Sequence, residues 1–179
     1  MFCFQCQETV KNQGCTVKGV CGKENDTAIL QDLLIFHLKG ISCLAAKAKE
    51  AGSPVKKETG LFVAKALFTT ITNTNFNNDN LYDWIRQAQN VKKELYDSLA
   101  GKIGNDLPEA AVWFSDNPDE WLGKAEAVGV LSTENEDVRS LRELLVIGTK
   151  GISAYADHAA VLGVEKDEIY EFILDALAS

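Results

Sequence analysis

The sequence predicts an all-α protein: two tandem three-helix-bundle-like repeats, the second lacking its third helix, behind an N-terminal cysteine-rich loop. Three observations predict it. Apolar residues recur at helical spacing over long segments, one such segment occurs twice, and four of the five cysteines fall within the first twenty-one residues. At 179 residues, 46% of them hydrophobic, the chain is large enough to bury a core.

After the cysteines, Leu30, Leu33, Leu34, Ile41, Leu44 and Ala48 fall on one stripe of a helix over Thr27 to Ala51. Gly52 stands where a helix C-terminal cap belongs. "TGLFVAKALFTTIT", residues 59–72, reads as a second helix with a β-branched end. "NDNLYDWIRQAQNVKKELYDSLAGK" is a third, capped by Asn78 or Asp79, with Leu81, Trp84, Ile85, Ala88, Val91, Leu95 and Leu99 facing inward. Between Gly104 and Gly129 the Asp, Pro and Asn content rises, which predicts a connector with one or two short helices around Trp113 and Trp121. A capping box of Thr133 and Glu136 then starts a long helix that runs to about Val161.

That helix copies the earlier one. "LQDLLIFHLKGISCLAAKAKEAG" from Leu30 aligns with "LRELLVIGTKGISAYADHAAVLG" from Leu141, with about ten of 23 positions identical and "KGIS" shared. "FVAKAL" from Phe62 then matches "FILDAL" from Phe172 at nearly the same offset. The predicted organisation is a four-cysteine segment over 1–26, a first helical bundle over 27–103, a connector over 104–132 and a second, incomplete bundle over 133–179. An amphipathic pair without its third helix leaves apolar surface in water, at about 25 cal/mol per Å². The chain therefore reads as cut short, its missing helix supplied by the connector, by sequence absent here or by a neighbouring chain, a symmetric homodimer being one such arrangement. Gly40 and Gly151 interrupt the matched helices at a cost of about 0.5–1 kcal/mol each, and close helix approach is the expected compensation.

The cysteine spacing is Cys3-x2-Cys6-x8-Cys15-x5-Cys21. A C-x2-C pair brings two thiolates to one metal centre, and two more within a short chain complete a four-cysteine set. Gly14, Gly19 and Gly22 suit a loop whose backbone must approach a cluster's sulfides. Zinc also accepts four thiolates, but its structural sites usually join two C-x2-C knuckles and only one is present. The uneven spacing favours an iron–sulfur cluster over zinc, with two disulfides third.

Net charge is -8 with no Lys/Arg cluster against that balance, which argues against a nucleic-acid partner. Apolar runs such as "LLIFHL" and "ELLVI" are far shorter than the roughly 18 residues of a membrane span, and no secretory signal precedes the cysteines. A cytoplasmic protein without a membrane partner is expected, and a reducing compartment disfavours structural disulfides. The phosphate-binding and H-E-x-x-H motifs are absent. "TENED" and "NDN" read as caps and first-turn acids. His37 and His158 read as surface or satisfied core histidines, Cys43 as a small core hydrophobe, and Trp84, Trp113 and Trp121 as packing residues. No catalytic residue is assigned.

The opening "MFCFQCQETVKNQGCTVKGVCGK", with "LQDLLI", "LKGIS", "TITNTNF" and "TENEDVRSLRELLVIGTKGISAYADHAAVLG", resembles the N-terminal region of the hybrid cluster (prismane) family, whose members include hydroxylamine reductases. The resemblance covers essentially the whole chain. It implies that Cys3, Cys6, Cys15 and Cys21 bind a [4Fe-4S] cluster, the form found with this compact spacing, whereas family members with longer gaps carry [2Fe-2S]. It also implies an all-helical domain of two three-helix bundles. The family's catalytic hybrid iron–sulfur–oxygen cluster is held by later domains that are not in this chain, and after the first four cysteines only Cys43 remains. The implied role is electron transfer from a ferredoxin-like or flavin-containing reductase to those C-terminal catalytic domains, which reduce hydroxylamine to ammonia or nitric oxide to nitrous oxide. The alternative is a non-enzymatic helical interaction module with a structural four-cysteine zinc or cluster site.

Overall fold

The computed structural model describes residues 1–179 except Thr9, Pro54 and Asn105. Among the described residues there are seven α-helices and no strand: α1 (Asn25–Glu50), α2 (Lys57–Thr69), α3 (Asn78–Ser98), α4 (Glu109–Val112), α5 (Pro118–Ala127), α6 (Glu136–Val161) and α7 (Asp167–Ala178). The predicted all-α class is the observed one. α1 is the axis, with α2, α3, α4, α5 and α7 all packed on it, while α6 packs on α2 and α7.

The predicted stripe of α1 is wholly inside: Leu30, Leu33, Leu34, Ile41, Leu44 and Ala48 are fully buried. Each large side chain contributes about 1.5–3 kcal/mol by leaving water. By length and composition α1 also suffices to cross a bilayer, but most of it is buried inside the protein, as its axial position requires. Its end is the predicted glycine cap: Gly52 N–H donates to Lys49 O at 3.1 Å and Ser53 N–H to Ala48 O at 2.8 Å, the Schellman pattern.

Three boundaries move. α2 stops at Thr69, short of the predicted residue 72, where the hydroxyls of Thr69 and Thr70 bond back to Ala66 O and Leu67 O. The cap of α3 is Asn77 rather than Asn78 or Asp79, its Oδ1 accepting the Asn80 N–H at 3.2 Å. The cap of α6 is Asn135, which accepts the Val138 N–H at 3.0 Å, so no Thr133 capping box forms; Thr133 instead receives Arg139 on its carbonyl. α6 does end at Val161.

The connector carries its two short helices. α4 ends just before Trp113, and α5 holds Trp121, which is buried and donates from Nε1 to Ser115 O at 2.9 Å. α4 lies against α1 at Gly40, where a Cβ would stand 2.0 Å from Ala110 O, so close approach explains this glycine. The same expectation fails at Gly151, which has nothing within 4 Å. The reason is that α6 is uncovered there. Leu141 is 68%, Leu144 64% and Tyr155 80% exposed, and Leu145, Ile152 and Phe172 continue the apolar groove beside them.

Candidate metal centre

The N-terminal loop lies on the start of α1. Cys3 and Cys15 are buried together against Ala28 with Phe2 beside them, and Phe2 N–H donates to Cys15 O at 2.9 Å. Cys6 and Cys21 are half-buried, and all five cysteines are free thiols. Past Cys21 the chain turns through Gly22 at φ +95°, a conformation that L side chains rarely adopt, with Gly22 N–H closing on Gly19 O at 2.8 Å.

Burial pushes the Cys3 thiol up, and two groups oppose it: the Gln5 backbone N–H, which faces the Cys3 sulfur, and the Lys23 ammonium nearby. Peptide N–H groups aimed at cysteine sulfur are among the features that tune iron–sulfur centres. Four uncommitted thiols in one loop, one of them faced by an amide N–H, suit such a centre in kind, and suit zinc as well. Among the described residues no three Cys, His, Asp or Glu side chains are gathered closely enough to hold one ion. A four-ligand set therefore requires Cys6 and Cys21 to close on the Cys3 and Cys15 pair.

Beneath the loop is a buried polar framework that the sequence did not announce. Gln5 is buried; its side-chain amide donates to Asp32 Oδ1, and its Oε1 accepts from Lys150 Nζ at 2.5 Å. The same ammonium reaches the Gln5 carbonyl at 3.3 Å. Lys23, also buried, donates to Gln31 Oε1, and Gln31 Nε2 donates to Asn75 O at 3.2 Å. Burial lifts the Asp32 carboxyl to about 7, against the pull of Lys150, and lowers the Lys150 ammonium to about 8. The legible signals were slight: Gln5 lies inside the C-x2-C, and Lys150 opens the second "KGIS".

The remaining predicted positions lie elsewhere. Cys43 is half-buried, its Sγ 3.9 Å from Ala178 O, with burial raising its thiol. His158 is exposed and meets Phe68 edge-on. His37 is a core histidine satisfied on one side only: Nδ1 faces Lys92 Nζ at 3.0 Å, whereas Nε2 is buried without a partner. Trp113 stacks at a tilt beside it and Trp84 packs on Phe62. Lys92, expected on no inward face, is fully buried.

The chain matches the Prismane/CO dehydrogenase family over residues 1–179. It is 51% identical to a hydroxylamine reductase of Halothermothrix orenii, 50% to one of Desulfosudis oleivorans and 53% to one of Nitratidesulfovibrio vulgaris. Each alignment takes in all of this chain and 33–34% of the relative, so the chain spans about a third of the length of these relatives. A fold without strands among the described residues, a loop of four free thiols and a match along the full length lead to one conclusion: this chain belongs to the Prismane/CO dehydrogenase family.

Proposed function

We propose that this chain is the N-terminal electron-transfer part of a hydroxylamine reductase, with Cys3, Cys6, Cys15 and Cys21 as ligands of a [4Fe-4S] cluster. The observation that carries the reading is four free thiols in one loop, two of them buried side by side, in a chain that aligns along its whole length with proteins named hydroxylamine reductase. Proteins of the family carry iron–sulfur clusters.

When bound, such a cluster takes up and releases single electrons. The chain's own residues seat and shield it. Cys3 and Cys15 come from a buried patch, the Gln5 N–H offers a hydrogen bond to sulfur, and Cys6 and Cys21 remain partly open to a docking donor. Surface loops are where such partners reach. The donor is a ferredoxin-like or flavin-containing reductase of the cytoplasm, and hydroxylamine is reduced to ammonia, or nitric oxide to nitrous oxide, at a hybrid cluster in the remaining two-thirds of the full enzyme. This chain alone transfers electrons and does not turn over substrate.

The internal repeat belongs to the same reading. Leu30, Leu33 and Leu44 of α1 are fully buried, while their aligned partners Leu141, Leu144 and Tyr155 of α6 are mostly in water. In the first copy α3 packs along α1; the α6 face is the seat of the corresponding helix of the second.

The test is anaerobic iron, sulfide and zinc analysis with visible and low-temperature EPR spectra after dithionite. About four irons and four sulfides per chain with a reduced S = 1/2 signal are expected. One zinc without sulfide overturns the electron-transfer reading and leaves a structural module.

A further inference from the structure

We propose that Lys150, acting through Gln5, is the positioning residue of the cysteine loop: it holds the Cys3–Cys6 turn in place and biases any metal centre bound there toward its reduced state. The electrostatic half of this inference rests on the cluster reading above; the positioning half does not.

Every polar group of Gln5 is engaged around that turn. Its N–H faces the Cys3 sulfur, its carbonyl and its side-chain oxygen both accept from Lys150 Nζ, and its side-chain nitrogen donates to Asp32. The amide thus lies between a carboxylate from α1 and an ammonium from α6, polarised the same way at both ends. Lys150 and Asp32 are buried, and burying ions is costly unless geometry and further hydrogen bonds repay it. Packing alone would be served at lower cost by apolar side chains.

The internal alignment supplies a control. Asp32 aligns with Glu143 and Lys150 with Lys39, so the same acid and base recur at matched positions. Lys39 and Glu143 influence one another electrostatically, and Glu143 also acts on Lys150, but both are only partly buried and among the described residues neither side chain makes a hydrogen bond. Only the pair that grips Gln5 is driven fully inside. The Lys150 ammonium sits on the Gln5 carbonyl, two residues along from Cys3, and with the Lys23 ammonium nearby it favours the more negative state of whatever the thiolates hold.

The experiment compares the intact chain with Lys150→Met, Lys150→Arg and Gln5→Met, each checked for helix content by circular dichroism. Amide exchange of residues 2–7 is read in the reduced protein, with or without metal. Iron and sulfide content and the midpoint potential are read after anaerobic reconstitution. Lys150→Met and Gln5→Met should each speed exchange in the loop at least tenfold, and Lys150→Arg should restore protection. At full cluster content, Lys150→Met should lower the reduced-to-oxidised ratio at fixed potential about tenfold, a 59 mV fall for one electron, and Lys150→Arg should recover it. Unchanged loop exchange in Gln5→Met with native helix content overturns the positioning role even if Lys150→Met fails to fold. An unchanged potential in Lys150→Met at full cluster content overturns the electrostatic role. Absence of iron and sulfide from the unsubstituted chain sinks the cluster reading and with it the electrostatic half, while loop exchange still decides the positioning half.

Discussion

Lys92 offers the sharpest stability prediction, because among the described residues its charge is paired with no acid. Its ammonium is fully buried and donates to Ala110 O at 2.8 Å and Trp113 O at 2.6 Å, faces His37 Nδ1 at 3.0 Å and lies 4.6 Å from the centre of the Phe114 ring. Burial, with Lys124 adding repulsion, lowers its pKa from 10.5 to about 7. His37 is held well below its usual range, so it is the neutral acceptor throughout. A folded pKa below the unfolded one means that the unfolded chain holds the extra proton between about pH 7 and 10.5. Stability therefore rises with pH across that window, by at most about 1.4 kcal/mol per unit and about 5 kcal/mol in all. Lys92→Met removes this slope and leaves two carbonyls without their donor, at about 1–3 kcal/mol each. In urea unfolding followed by far-UV circular dichroism at about pH 7, 8 and 9, the stability gap between wild type and Lys92→Met should widen by about 1 kcal/mol per unit. Other titrating groups cancel in that difference, and His37 is neutral when folded and mostly neutral when unfolded at these pH values. Parallel pH profiles would refute the buried-charge reasoning.

Three further outcomes are expected. Gly40→Ala drives a methyl into Ala110 O and should cost about 1–3 kcal/mol in thermal or urea unfolding, whereas Gly151→Ala meets nothing and should stabilise by about 0.5–1 kcal/mol. Asn135→Ala should cost about 1 kcal/mol as a lost cap, and Thr133→Ala less than about 0.5 kcal/mol; the reverse order would restore the capping box. Cys6→Ser should abolish iron and sulfide incorporation while leaving helix content unchanged, and a full complement of both in the variant would remove Cys6 from the ligand set.

What the sequence disclosed follows from the range of the physics involved. The α1 stripe was legible because its burial is periodic, and all six residues named for it are inside. The caps slipped by a residue or two because Asn77, Asn78 and Asp79, or Thr133 and Asn135, are all competent formers, and backbone direction chooses among them. Gly40 and Gly151 occupy the same motif and meet opposite surroundings, which only the packing of α4 decides. Nothing in the sequence marks Lys92, Lys150 or Lys23 as buried, since nothing local tells a cation that acceptors wait across an interface. The four cysteines were legible as a cluster of thiols in one loop, whereas the buried framework that ties that loop to α6 depends on residues 145 positions apart.

That separation in sequence sets an order of events during synthesis. The thiols leave the ribosome before α6 does, and the ammonium that grips Gln5 belongs to a residue added 145 positions later. At about 5–20 residues per second, this is a delay of roughly 7 to 30 s. For that interval the nascent chain displays four reduced cysteines on an undocked loop, free to pair wrongly or to take up a stray ion. On the proposed reading, assembly of a metal centre waits for α6, so oxidising stress during synthesis would meet the four thiols when they are least protected.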